Sequence, residues 1–113
     1  MKPVIRVFLY DKNGERFFGE GPCRLLRGIE EYGSLRSAAI HMNMAYTKAF
    51  SIIKHAEEVL DFPLTEKQIG GRHGGGSRLT PQAKEFLKKY EAYRDACCEA
   101  NTRIYTEIFS DQS

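Results

Sequence analysis

The side chains best suited to meeting a ligand fall in one run, Ala45-Tyr46-Thr47-Lys48, with Ser51 and Lys54 one and two turns further on. At helical spacing they share a surface opposite an apolar stripe of Ala49, Ile52, Ile53, Ala56 and Leu60. A lysine donates, Thr and Ser donate or accept, a tyrosine stacks or hydrogen-bonds, and an alanine methyl makes apolar contact. No Asp or Glu occurs from Tyr32 to Ala56, whereas Arg36, Lys48 and Lys54 do. A second acid-free window runs from Lys67 to Lys84 and carries Arg72, His73 and Arg78 around the glycine-rich stretch Gly70–Gly76. Two such windows suit a polyanion, because each cation near a phosphate releases a counterion. The net charge of +2 says little alone; its distribution says more.

Other chemistries find less support. A phosphate-binding P-loop needs Lys and then Ser or Thr after its last glycine, but Gly76 is followed directly by Ser77-Arg78. His41, His55 and His73 pair with no cysteine or acid at zinc spacing, so neither a metal nor a cofactor is expected. No nucleophile-and-base group or carboxylate pair stands out, and an enzyme is not expected. Cys23, Cys97 and Cys98 form no disulfide framework, which points to a reducing cytoplasm. Adjacent Cys97 and Cys98 read as small apolar helix residues or as a redox pair. There is no secretory leader pattern and no apolar run near 18 residues, so no membrane partner is expected.

The elements that must position the first run follow from turn and cap residues, and 113 residues suit a single domain, 1–113. Residues 4–20 are predicted as a β-hairpin, with strands at 4–10 and 15–19 around Asp11-Lys12-Asn13-Gly14. Residues 22–60 are predicted as three helices. The first begins at Gly21-Pro22, buries Leu25, Leu26 and Ile29, and ends at Gly33; its interior Gly28 is unfavourable unless packing requires it. Ser34 caps the second, whose stripe is Leu35, Ala38, Ala39 and Met42. Asn43 then supplies a left-handed turn into a third helix over 45–60. Residues 64–79 are predicted as a second hairpin. Thr80-Pro81 opens a helix over 81–109, roughly 43 Å long at ~1.5 Å per residue. Its heptad-like stripe of Ala83, Phe86, Tyr90, Tyr93, Cys97, Ala100 and Ile104 calls for a partner helix from a second copy.

Two helices around a tight turn, the second polar and basic at its start, then a glycine hairpin, describe a winged helix-turn-helix. The expected fold class is mainly α with small β, with an N-terminal hairpin and a long C-terminal dimerisation helix. Such a second helix enters the major groove of double-stranded DNA. Ala45, Tyr46, Thr47, Lys48 and Ser51 are the expected base-reading set. Ser34, Arg36, Ser37 and Lys54, with Arg72, His73 and Arg78 of the wing, join the DNA-facing set, Arg36 and Lys54 for phosphates. Phe86, Tyr90, Tyr93, Cys97, Ala100 and Ile104 are the expected dimer seam.

The sequence resembles the N-terminal domain of ModE-type molybdate-responsive transcriptional regulators of bacteria, and more distantly the LysR-type DNA-binding domain. The resemblance lies in Asp11-Lys12-Asn13-Gly14 with Phe18-Gly19, Leu25-Leu26 with Ile29, Gly33-Ser34-Leu35 with Ala38-Ala39, Met44–Phe50 with Ile53, and Gly70–Thr80. It implies a homodimeric transcriptional regulator with a recognition helix near 45–57 and a wing near 66–79. Phe50 stands where relatives often have Trp, and Asn43 where they often have Gly. No oxyanion-binding domain is expected after the last helix, so molybdate sensing is not carried over, and no effector is named by the sequence. A second reading of the same elements is a winged-helix protein–protein interaction module with a coiled-coil-like docking helix.

Overall fold

The computed structural model describes residues 1–68 and 76–110. The chain runs β1 (Leu9–Tyr10), β2 (Arg16–Phe18), α1 (Glu20–Tyr32), α2 (Leu35–His41), α3 (Tyr46–Leu60), β3 (Thr65–Lys67), β4 (Ser77–Leu79) and α4 (Pro81–Ile108). The molecule is mainly helical. Its two small antiparallel sheets pair β1 with β2 and β3 with β4, an arrangement compatible with a winged helix.

The caps explain where the helices stop. α1 ends at Gly33, whose left-handed φ of 85° suits a residue without Cβ. Ser34 Oγ accepts the Ser37 N–H at 3.0 Å and opens α2. Asn43 turns the chain at φ 53°, and Met44 N–H donates back to Ala39 O at 2.9 Å. Asp61 closes α3 at φ 63°. Thr80 Oγ1 accepts the Ala83 N–H and donates to Pro63 O, so the start of α4 is tied to the chain entering β3.

The core is formed by Phe18, Cys23, Leu25, Leu26, Ile29, Ala38, Ala39, Ala49, Ile53, Ala56, Leu64, Leu79, Ala83, Leu87 and Tyr90. Gly28 explains the close crossing of α1 and α2: a Cβ there would lie 2.8 Å from the Ala38 Cβ. The glycine is held by packing, and a small residue is needed on each side.

The first strand is shorter than predicted. Residues 4–8 do not pair with β2; the N-terminal segment follows α4 instead. Tyr90 Oη donates to Val7 O at 2.8 Å, and Tyr105 Oη donates to Met1 O at 3.2 Å. This changes the reading of the α4 stripe. Phe86 and Tyr90 stand edge-on to Phe18, with ring centroids at 4.8 and 4.9 Å, and Tyr90 is buried. Both belong to the chain's own core, because Phe18 and the N-terminal segment cover that face of the helix. Further along, Tyr93, Ile104, Ile108 and Phe109 remain exposed, while Cys97 and Ala100 are half-buried.

α4 joins the core over its first third and then extends beyond it. The principal extents are 59 × 31 × 25 Å, and the radius of gyration is 17.0 Å, against about 13 Å for a compact domain of this length. Polar contacts fix α4 to α1. Arg27 bonds both oxygens of Glu91 and also Glu30, while Arg94 meets Glu20 and Asp95. Among the described residues, no helix is long and apolar enough to cross a membrane.

Candidate nucleic-acid interface

α3 presents the predicted set on one open side. Ala45, Tyr46, Thr47, Lys48, Ser51 and Lys54 are all exposed, while Ala49, Ile53 and Ala56 anchor the opposite face. Ala45 provides no side-chain cap and the first turn holds no acid. The leading amides of α3 therefore lack a side-chain acceptor, which leaves the positive end of the helix dipole uncompensated.

Arg36 comes from α2 to join this surface, its guanidinium 4.5 Å from the centre of the Tyr46 ring. Tyr46 neighbours Phe50 at 6.2 Å, and the Lys54 ammonium lies 5.3 Å from the Phe50 ring. Arg36, Tyr46, Phe50 and Lys54 thus form a ribbon along α2 and α3 in which two neighbouring rings are flanked by a cation at each end. Stacking restricts these long side chains without neutralising them, since a cation over a ring keeps its charge. Phe50 was not among the residues expected at the site. Its signal was available: an aromatic four residues after Tyr46, on the same side of the helix.

The cations differ in their partners. Arg36 and Lys48 have no acidic partner among the described residues. Lys54 is paired with Glu57 at 3.3 Å. Glu57 also accepts the Leu64 N–H at 2.7 Å, so this acid joins α3 to the chain entering β3. Arg78 is paired with Glu66 at 2.9 Å across the β3–β4 ladder. Glu66 lies just outside the acid-free window, and strand pairing brings it opposite Arg78. Ser34 and Ser37 are half-buried and belong to the α2 cap. Arg72 and His73 lie outside the described residues.

The second hairpin is fastened to the α1–α2 turn. Ser77 N–H donates to Gly33 O at 2.9 Å. At Gly76, whose φ is 151°, a Cβ would lie 2.8 Å from that same oxygen. β4 therefore approaches the α1–α2 turn closely, and the hairpin shares a frame with the two helices.

Elsewhere, Cys23 is buried, and burial pushes its thiol up to about 11. Cys97 is half-buried and Cys98 exposed, all three as free thiols. His55, on the hairpin-facing side of α3, comes close to Asp11 and Glu15, a meeting that sequence spacing did not suggest.

No protein-family model matches the chain. Curated proteins do. The chain is 34% identical over 68 residues to the transcriptional regulator ModE of Haemophilus influenzae, covering 60% of this chain and 27% of that protein. It is 37% identical over 73 residues to the molybdenum transport protein ModE of Herbaspirillum seropedicae, covering 65% and 25%. It is 25% identical over 99 residues to the molybdenum-pterin-binding protein MopA of Rhodobacter capsulatus, covering 88% and 37%. The similarity to ModE regulators read from the sequence is thus present, over about a quarter to two fifths of these relatives' length.

Proposed function

We propose that the chain is a sequence-specific DNA-binding transcriptional regulator that acts as a homodimer. In this reading α3 enters the major groove, and the β3–β4 wing meets the backbone or adjoining minor groove. The observation that carries it is the exposed, acid-free start of α3, flanked by Arg36 from α2 and fastened through Gly33 to the wing.

The roles follow from side-chain chemistry. Lys48, in the first turn of α3 and without an acidic partner among the described residues, donates to a guanine edge; Thr47 and Ser51 donate or accept; Ala45 and the Phe50 ring offer apolar contact to a thymine methyl. Arg36 and the leading amides of α3 hold phosphates, which give register and affinity without base choice. Arg78 contributes less than a free arginine, because Glu66 opposes its charge.

The exposed residues of α4 support the dimer. Tyr93, Ile104, Ile108 and Phe109 leave an apolar strip along a helix that outruns its own core, and a second α4 would cover it. The seam is then Tyr93, Cys97, Ala100 and Ile104, extended to Ile108, without Phe86 and Tyr90. Two copies would present two α3 helices to successive major grooves and select a two-fold symmetric site.

Selection from random-sequence duplexes at stated salt concentrations tests this. The expected result is an enriched symmetric sequence, with affinity falling steeply as salt rises. If no sequence is enriched and binding stays weak at low salt, the reading fails and the interaction-module alternative takes its place.

A further inference from the structure

Asp11 and Glu15 sit at the ends of the β1–β2 turn, and His55 faces them from α3. One ligand atom from each, two carboxylate oxygens and an imidazole nitrogen, lie within 4.8 Å of one another. The turn is rigid on the hairpin side. Asp11 Oδ1 accepts the Asn13 and Glu15 N–H groups at 2.8 and 2.9 Å, and Asp11 N–H donates to Glu15 O at 2.8 Å. One carboxylate oxygen of Asp11 is thereby held by backbone amides.

Among the described residues, no lysine or arginine forms an ion pair with Asp11 or Glu15. The neighbouring Arg16 guanidinium lies over the Phe8 ring at 4.3 Å. Among the described residues, neither the Glu15 carboxylate nor the His55 ring makes a hydrogen bond or ion pair. Two carboxylates held close together repel one another, and a cation between them removes that cost. Zinc binds imidazole nitrogen and carboxylate oxygen at ~2.0–2.2 Å, so small rotations of Glu15 and His55 bring all three donors into its shell.

We propose that Asp11, Glu15 and His55 form a binding site for a first-row divalent metal ion. One nitrogen and two oxygens form a borderline donor set suited to zinc, cobalt or manganese, with water completing the shell. The ion would clip the N-terminal hairpin to α3, elements joined there by no polar bond among the described residues. The site stands on its own ligands, whether or not α3 meets DNA.

The test is a titration of the reduced full chain with Co2+, followed by visible absorption, and with Zn2+, followed by calorimetry. His55→Gln and Glu15→Gln are run in parallel, and circular dichroism confirms that each variant folds. The expected result is one ion per chain without thiolate-to-metal charge-transfer bands, and each variant weakening it by at least ~10-fold. Saturating zinc raises the melting temperature of the parent chain but not of His55→Gln. Three results overturn the proposal: no binding, parent-like affinity in both variants, or cobalt spectra dominated by the thiols of Cys23, Cys97 or Cys98.

Discussion

Gly28→Ala separates packing from helix propensity at the crossing of α1 and α2. On an isolated helix this change is favourable by about 0.8–1.0 kcal/mol, since glycine loses more backbone freedom. Here the new methyl would lie 2.8 Å from the Ala38 Cβ and 3.4 Å from its Cα. Alanine has no rotamer with which to withdraw, so the helices themselves must part. Overpacking of this kind costs roughly 1–3 kcal/mol. With contact directly against a backbone-linked methyl the upper half of that range applies, leaving a net loss of about 1–2 kcal/mol. At roughly 4–8 °C per kcal/mol for small domains, the melting temperature should fall by about 4–16 °C in a calorimetric scan. α2 carries Arg36 and leads into α3, so DNA affinity should fall as well. Adding Ala38→Gly removes the opposing methyl, and the cycle should show a favourable coupling of about 1 kcal/mol. A Gly28→Ala chain that melts higher than the parent, with unchanged DNA binding, would refute the reasoning.

Four further outcomes follow. Lys48→Ala and Tyr46→Ala should change the sequence enriched from random duplexes, whereas Arg36→Ala should weaken all duplexes evenly and reduce the salt slope by about 1. Ile104→Glu with Ile108→Glu should yield monomers in sedimentation while leaving the melting temperature near that of the isolated subunit, because both side chains are exposed; dimers that persist would remove α4 as the seam. Cys23 is raised from its ordinary 9.0 to about 11, by burial first and then by the charge of Glu91. Its stabilising contribution is therefore complete below pH 9 and lost between pH 9 and about 11. At pH 8 an alkylating reagent should modify Cys98 first and Cys23 last. Glu91 is held below its ordinary 4.5 chiefly by its hydrogen bonds to Arg27, so its contribution is present above that value and lost as pH falls through the lowered one. Glu91→Gln should flatten the acid limb of an unfolding curve by less than ~1 kcal/mol, since both partners are partly exposed.

Much of this molecule was readable from residue order because its controlling features are local. Gly33, Ser34, Asn43 and Thr80 act within a turn of their own positions, so the helix boundaries follow from them. The polar face of α3 follows from one helical period. What depended on distant chain was decided only in three dimensions. The 4–10 run has strand propensity, yet residues 4–8 follow α4, where Tyr90 donates its hydroxyl to Val7 O and Tyr105 holds the preceding Met1 O. Phe86 and Tyr90 fit a heptad, but a heptad does not say which partner covers it, and Phe18 occupies that place. The pairing of Arg78 with Glu66 is set by strand register, and the meeting of His55 with Asp11 and Glu15 by how the hairpin lies on α3. Short-range periodicity records which face of an element is apolar; only the packed chain determines what meets that face, because contact energies between remote residues depend on all the intervening geometry.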